Sequence, residues 1–229
     1  MEIYFILVEP KVPGNIGASA RAMKTMGFFN LRLVHPVEDH LHEKSRILAH
    51  GSNDILEKTQ VFKSLEEAIK DIDFIIGTSA KDRRVNTKVY PVNSLKKVID
   101  EKKGSIKSIA IVFGREESGL TNDEIDLCDI VSYVSMYNQY PSLNLSQAVM
   151  VYAHNLFLDD IQNIHPRKAD TETSSYKELK EKIVSIFKEI EVDKNPALYG
   201  RLVERLASIN DEDVHLLHSL IKYYLKRNF

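Results

Sequence analysis

The first two thirds of the chain alternate between short apolar runs and segments with helical spacing. The apolar runs predict buried strands at Ile3–Val8, Leu31–Val34, Phe74–Gly77, Ile109–Phe113 and Ile130–Val134. The helical patterns lie between them at Ile16–Met26, Leu65–Lys70, Val92–Glu101, Asn122–Cys128 and Leu143–Ile161. Strands that alternate with helices are typical of a parallel sheet covered on both faces, so we predict an α/β fold.

Two helices carry clearer signals than the others. Thr121 and Glu124 have the spacing of a capping box, which predicts a helix start at this point. In the long helix, Leu145, Tyr152 and Leu156 belong to an apolar stripe at helical spacing. We interpret that stripe as a core-facing surface.

The pattern changes after the long helix. Residues 164–173 are polar and include Pro166, and we interpret them as a linker. Three further helical patterns follow, near Tyr176–Ile190, Pro196–Ser208 and Asp211–Lys226. The sequence therefore predicts one domain at residues 1–163 and a small helical extension at 174–229.

Composition narrows the class of protein. The 229 residues are 43% hydrophobic and 28% charged, which is ordinary for a folded protein. A net charge of −2 excludes a strongly basic nucleic-acid coat but allows a local basic patch. No apolar run approaches the ~20 residues of a membrane-spanning helix, so we expect no membrane partner. One cysteine, Cys128, favours a reducing cytoplasm, and the scattered His and Cys residues predict no metal site.

The common nucleotide-binding and hydrolase motifs are absent. No G-x-G-x-x-G or G-x-S-x-G occurs. The segment 114–119 has the glycine spacing of a P-loop, but Leu120 stands where the phosphate-binding lysine is required. These observations exclude a Rossmann dinucleotide site and a Walker site.

Three polar segments stand where predicted strands lead into helices. Gly14–Arg21 offers free backbone N–H groups to a ligand, although a helix cap with a surface arginine is equally compatible. Val112–Glu116 runs from a strand into a charged turn, which indicates either a ligand or a salt-bridged turn. Before the long helix we expect Ser142 as the N-cap and Asn144 in the first turn.

One dense basic cluster follows the predicted strand that ends at Gly77. It consists of Lys81, Arg83, Arg84 and Lys88. In open α/β sheets, ligands bind outside the carboxyl ends of the strands. This position favours a binding role for the cluster over a merely solvated charged loop, which stays the alternative.

Together the three polar segments resemble the SpoU branch of the SPOUT methyltransferases, and the TrmJ group in particular. The resemblance rests on Asn-Ile-Gly-x-x-x-Arg from Asn15, Phe-Gly-Arg-Glu-x-x-Gly-Leu from Phe113 and Ser-Leu-Asn-Leu-Ser from Ser142. It covers residues 2–160 closely and the helical extension more loosely. The family fold it implies is a parallel sheet with a C-terminal trefoil knot, which the hydrophobic pattern alone does not predict.

The resemblance also implies a reaction. Members of the TrmJ group use S-adenosylmethionine to methylate the ribose 2′-hydroxyl of nucleotide 32 in the tRNA anticodon loop, usually cytidine and in some members uridine. The family works as a homodimer with the active site near the shared interface. An rRNA methyltransferase of the same fold and a catalytically silent RNA-binding knot protein are the alternatives. The helical extension favours tRNA, and the retained polar motif residues favour an active enzyme.

Site residues follow from the same motifs. The resemblance implies catalytic roles for Asn15, Arg21, Glu116, Ser142 and Asn144. It implies cofactor contacts for Thr78, Ser79, Ala80, Gly114, Val134, Met136, Ser142 and Leu143. It implies RNA contacts for Lys81, Arg83, Arg84 and Arg115.

The expected roles within the catalytic group differ. Asn15 and Asn144 would orient the ribose, and Glu116 would fix either Arg21 or the neighbouring loop. Arg21 would act as a base or as a phosphate clamp; a guanidinium, with a pKa above ~12, clamps more readily than it deprotonates. Pro141 stands where TrmJ sequences often have serine, and it removes a backbone donor there.

Overall fold

The apolar runs of the sequence form one parallel sheet in the computed structural model, which describes residues 1–80, 89–138, 140, 142–157 and 175–228. Within those residues the sheet has seven strands: β1 Glu2–Val8, β2 Asn30–Val34, β3 Gln60–Phe62, β4 Phe74–Ser79, β5 Val89–Pro91, β6 Ser108–Phe113 and β7 Ile130–Tyr133. Their order is β3-β2-β1-β6-β4-β7-β5, and every pair is parallel. All carboxyl ends therefore lie at one edge of the sheet, and those of β6, β4 and β7 are adjacent.

Helices cover both faces of the sheet. The described helices are α1 Pro13–Thr25, α2 Glu43–Ala49, α3 Asn53–Lys58, α4 Leu65–Ile69, α5 Leu95–Asp100, α6 Asn122–Asp126, α7 Leu145–Leu156, α8 Ser175–Glu189, α9 Pro196–Ala207 and α10 Asp211–Asn228. Alternate residues of the central strands enter opposite cores: Phe5 and Phe113 pack on one face, and Ile6 and Val112 on the other. This two-sided burial confirms the α/β prediction.

The start of α7 differs from the prediction. Asn144, not Ser142, is the N-cap: its Oδ1 accepts a hydrogen bond from the Ser146 backbone N–H at 2.9 Å. The Gln147 side chain accepts from the Asn144 N–H at 3.1 Å and completes a capping box. The expectation that Asn144 lies in the first turn was therefore wrong, because the box places the helix start two residues later than Ser142 allows.

The other end of α7 also differs. The helix ends at Leu156, with Phe157 as its C-cap, rather than continuing toward Ile161. Residues 158–174 lie outside the described residues, as do the predicted linker at 164–173 and the boundary at residue 163. The proposed division at 163 and 174 stays a prediction. The trefoil knot also stays a prediction, since residues 81–88, 139 and 141 are not described.

The helical extension packs directly on the sheet. Tyr176 and Leu179 of α8 belong to the same apolar cluster as Phe74 of β4, and the rings of Tyr176 and Phe74 meet edge to face at 5.7 Å. The buried Lys102 ammonium lies 4.9 Å from the Tyr176 ring and donates to the Ile209 carbonyl at 2.7 Å. The extension and the sheet therefore share one core.

An ion pair adds to this contact. Lys180 of α8 binds Asp129, whose side chain is 1% exposed and which precedes β7. The second Asp129 oxygen accepts from the Ile75 N–H at 2.8 Å. Among the described helices, none is both long and apolar enough to cross a membrane.

Candidate functional site

A cavity of about 470 Å³ opens at the carboxyl ends of β4, β6 and β7. Its walls come from the ends of these strands, from the turn at residues 114–120 and from the start of α7. The volume lies within the range of small-molecule and cofactor sites. Its position is the one that open α/β sheets use for ligands.

All eight residues expected to contact the cofactor line this cavity. They are Thr78, Ser79, Ala80, Gly114, Val134, Met136, Ser142 and Leu143. They are distant in sequence, and they meet because three adjacent parallel strands end at the same edge. Their role in binding stays a prediction, but the structure brings them together.

The turn after β6 requires glycine at position 114. A Cβ on Gly114 would lie 2.2 Å from the Gly119 carbonyl carbon and 2.2 Å from the Leu120 nitrogen. Two backbone hydrogen bonds close the turn. The Arg115 N–H donates to the Gly119 carbonyl at 3.2 Å, and the Gly119 N–H donates to the Arg115 carbonyl at 2.9 Å. Gly119 has a φ of 71°, which favours glycine. The P-loop-like glycine spacing therefore serves a tight turn in the cavity wall.

A polar network lies at the same edge of the sheet. The Asn144 amide donates to Asn15 Oδ1 at 3.0 Å, and the Asn15 amide donates to Glu116 Oε1 at 3.1 Å. Glu116 also accepts from the Lys11 N–H at 3.3 Å. The network joins the start of α1, the turn after β6 and the cap of α7, and it contains three of the five residues expected to be catalytic.

The other two residues of that group lie outside the network. Arg21 is exposed on α1, and its side chain has no hydrogen bond or ion pair with any described residue. The alternative that Glu116 fixes Arg21 does not occur in the structure; Glu116 holds Asn15 instead. Ser142 is exposed and lines the cavity.

Arg115, expected to contact RNA, has a side chain that is 17% exposed and lies between two glutamates. Its guanidinium donates to Glu9 and Glu124 from both sides and to the Gly119 carbonyl, so all five N–H groups are used. Hydrogen bonds from Arg115 lower the pKa of Glu9. At Glu124 burial acts to raise the pKa, but bonds from Arg115 and Thr121 lower it overall. No N–H remains for an RNA phosphate, and the salt-bridged turn considered from the sequence is what forms.

The remaining RNA-contact predictions, Lys81, Arg83 and Arg84, lie outside the described residues, as does Pro141. In the part of the chain that is described, no group of three or more His, Cys, Asp or Glu side chains is placed to hold a metal ion.

Sequence reasoning missed one polar residue of the cavity wall. Tyr152 of α7 lines the cavity and is 1% exposed, and its ring meets Phe113 edge to face at 5.3 Å. Burial raises the pKa of the Tyr152 hydroxyl, and a side-chain hydrogen bond with the Ser132 hydroxyl acts to lower it. The only signal in the sequence was a tyrosine in an otherwise aliphatic stripe.

Comparison with known proteins agrees with this architecture. The SpoU rRNA Methylase family matches residues 2–154, and the C-terminal domain of tRNA/rRNA methyltransferase LasT matches residues 173–228. The parallel sheet with its helices thus has the fold of the SpoU and TrmJ type of SPOUT methyltransferases. The chain belongs to the SpoU methylase family and carries a LasT-type C-terminal domain.

Individual relatives cover nearly the whole chain. The uncharacterized tRNA/rRNA methyltransferase LasT of Escherichia coli is 40% identical over 222 residues, or 96% of each chain. The tRNA (cytidine-2′-O-)-methyltransferase TrmJ of Methanocaldococcus jannaschii is 35% identical over 96% of this chain and 98% of its own.

Solved structures share the fold. A probable methylase family protein from Haemophilus influenzae has a TM-score of 0.64 and 31% identity, with 98% of this chain and 96% of that chain covered. AviRb from Streptomyces viridochromogenes, solved with the cofactor AdoMet, has a TM-score of 0.55 at 20% identity, with 72% and 59% covered. The second similarity shows the fold alone.

Proposed function

We propose that this chain is an S-adenosylmethionine-dependent tRNA ribose 2′-O-methyltransferase that acts on nucleotide 32 of the anticodon loop. Cytidine is the expected target, and uridine is the second base to test. The proposal rests on one observation: the cavity and the Asn144–Asn15–Glu116 network lie at the same edge of the sheet, where the central strands have their carboxyl ends. A methyl donor and a ribose hydroxyl would thereby be neighbours.

The residues of the cavity fit the cofactor. Phe113, Leu120 and Leu145 give it apolar walls suited to an adenine ring, and Tyr152 lines it beside them. Gly114 allows the turn that forms one wall of the cavity to close tightly on Gly119 and Leu120. Thr78, Ser79, Ala80, Val134, Met136, Ser142 and Leu143 would complete the cofactor site.

The proposed methyl transfer needs no covalent bond between the protein and either reactant. When bound, S-adenosylmethionine supplies an already activated methyl group. Asn15 and Asn144 would orient the ribose, because each is already fixed by a hydrogen bond within the network. Glu116 would hold Asn15 in place.

Arg21 would act on the substrate from outside the network. Its exposed guanidinium is free of partners within the described residues, so it can bind an RNA phosphate and stabilise charge that develops on the 2′-oxygen. A base role would require a guanidinium to lose a proton, which proteins do not achieve at neutral pH.

Relatives support a tRNA substrate. The Methanocaldococcus jannaschii relative is named for cytidine-2′-O methylation of tRNA and aligns along nearly the whole chain. The Escherichia coli relative is named for tRNA or rRNA, which keeps an rRNA methyltransferase as the second candidate. We further propose a cytoplasmic homodimer, with Lys81, Arg83 and Arg84 at RNA phosphates and Arg115 in a structural role.

The test is transfer of a labelled methyl group to unmodified tRNA transcripts, followed by mapping of the modified nucleotide. A matched transcript with 2′-deoxycytidine at position 32 removes the accepting hydroxyl. Arg21→Ala should lose most activity, whereas Arg46→Ala, which removes an exposed pair with Glu57, should retain it.

Each result has a distinct meaning. Methylation at position 32 that disappears with the deoxy transcript and with Arg21→Ala supports the proposal. Transfer to rRNA but not to any tRNA would favour the second candidate. Cofactor binding without transfer to either RNA would favour the silent RNA-binding protein.

A further inference from the structure

One exposed ion pair lies at the rim of the cavity, beside the polar network. The Lys11 ammonium is 2.9 Å from Glu117 Oε2, and the two side chains are 49% and 78% exposed. Lys11 lies between β1 and α1, whereas Glu117 belongs to the turn after β6 and lines the cavity. The pair therefore joins the loop before α1 to the cavity wall.

The backbone of Lys11 is held by the network itself. Its N–H donates to Glu116 Oε2 at 3.3 Å, and Glu116 Oε1 accepts from the Asn15 amide at 3.1 Å. The Lys11 side chain thus starts from a fixed point close to Asn15, which the proposed function assigns to the ribose. Its four-carbon stem lets the ammonium move around that point, because an exposed ion pair restrains it only weakly.

Other cations of these segments are bound more firmly. Arg115 uses all five N–H groups within the protein, and Lys24 on α1 binds both Asp54 and a backbone carbonyl. Arg21 has no partner within the described residues, and Lys11 holds a single exposed carboxylate. Beside Arg21, Lys11 is therefore the cation of α1, its preceding loop and the turn after β6 that is most easily given to a ligand.

A phosphate is the ligand that suits this ammonium. Water screens an exposed ion pair, so a second anion can take the ammonium from Glu117 at small cost. RNA carries one anionic phosphate for each nucleotide, and lysines that bind these phosphates release counterions. The Glu117 carboxylate repels the same phosphate. The pair thus contains one group that attracts RNA and one that opposes its binding.

We propose that Lys11 binds a tRNA phosphate next to the target nucleotide, and that Glu117 holds the Lys11 ammonium in the absence of RNA and competes with that phosphate. The inference rests on the proposed function for the identity of the substrate. In this role Lys11 is a positioning residue: it fixes the RNA backbone, while Asn15 and Asn144 orient the ribose.

The test is binding of labelled, unmodified tRNA, measured by fluorescence anisotropy over a series of salt concentrations. Lys11→Met should weaken binding about tenfold at low salt, and it should lower the slope of log affinity against log salt by about one. Glu117→Gln should strengthen binding about two- to fivefold, because the competing carboxylate is gone. Lys11→Arg keeps the charge and should keep the wild-type affinity.

The pair of Lys103 and Asp100 is the matched control. Its charged groups are 2.6 Å apart, with side chains 51% and 41% exposed, and it precedes β6 at the amino edge of the sheet, opposite the cavity. Lys103→Met and Asp100→Asn should leave tRNA affinity unchanged. A pair that only stabilises the fold would make Lys11→Met and Glu117→Gln change affinity in the same direction. Thermal unfolding measures that structural contribution separately.

Replacement of single phosphates locates the contact. tRNAs assembled by ligation carry a neutral methylphosphonate in place of one phosphate at a time, on either side of the target nucleotide. The wild type should lose affinity for at least one of them, and Lys11→Met should be insensitive to that replacement. If Lys11→Met and Glu117→Gln change affinity in the same direction, or if Lys11→Met keeps the full sensitivity to every methylphosphonate, the inference is overturned while the proposed function stands. If the wild-type protein binds no tRNA, the proposed function fails and the inference fails with it.

Discussion

Replacement of Gly114 by alanine should damage both the stability of the fold and the cavity. The added Cβ would lie 2.2 Å from two backbone atoms, whereas ordinary contact begins at 3.4 Å, so the facing strand of the turn must move by about 1.2 Å. That movement strains the two hydrogen bonds between Arg115 and Gly119. Overpacking of this kind and one weakened hydrogen bond together predict a loss of about 2–4 kcal/mol.

Urea denaturation measures the stability, and titration with S-adenosylhomocysteine measures the cavity. Gly51→Ala is the control, since Gly51 has a φ of 79° but no atom within 4 Å of an added Cβ. It should cost only the backbone strain, about 1 kcal/mol. If Gly114→Ala is as stable as Gly51→Ala and binds the ligand normally, the steric reasoning fails.

Three further predictions concern charged and polar groups. Asn15→Ala and Glu116→Ala should each lower kcat/KM for methyl transfer by about tenfold or more, and the double variant only slightly further, because both single variants lose the same Asn15–Glu116 hydrogen bond. Losses that multiply in the double variant in single-turnover assays would contradict this. Glu9 and Glu124 beside Arg115 have lowered pKa values, so the free energy of unfolding should fall as the pH drops below about 4.5. The fall should be less steep in Arg115→Met. Parallel curves of unfolding free energy against pH for the wild type and Arg115→Met would refute this. Lys180→Met should destabilise the fold by about 1–3 kcal/mol in urea, since it leaves Asp129 buried without its cation, and adding Asp129→Asn should restore part of the loss.

The sheet was largely predictable from the sequence. All five predicted strands are present because central parallel strands are buried on both faces and leave continuous apolar runs. The edge strands β3 and β5 were missed. Each has three residues; β3 is mostly exposed, and β5 contains Pro91, which argues against a strand. The helices α2 and α3 were missed as well; in α2 the small residues Ser45 and Ala49 are buried while Ile47 and Leu48 are exposed, so its sequence shows no core-facing apolar stripe.

The sequence predicted which residues belong to the candidate site, but it did not predict which of their polar groups bond to one another. Family motifs supplied the cavity residues, and the sheet edge explains why those residues meet. The partner of each polar group could not be predicted, because it depends on distances between segments about 100 residues apart. Arg115 illustrates this: its place in the sequence is compatible with an RNA contact and with a salt bridge, and only the structure shows that Glu9 and Glu124 bind it.

The core shared by the sheet and the C-terminal helices also bears on how the chain folds during synthesis. Protein chains emerge from the ribosome N-terminus first, and domains generally fold as units in that order. Here Phe74 and Lys102 are covered by Tyr176 and Ile209, which are made about 100 to 135 residues after Phe74. The sheet can therefore pair its strands early, but the part of one face around Phe74 stays exposed to water and to other nascent chains until the helical extension has been translated.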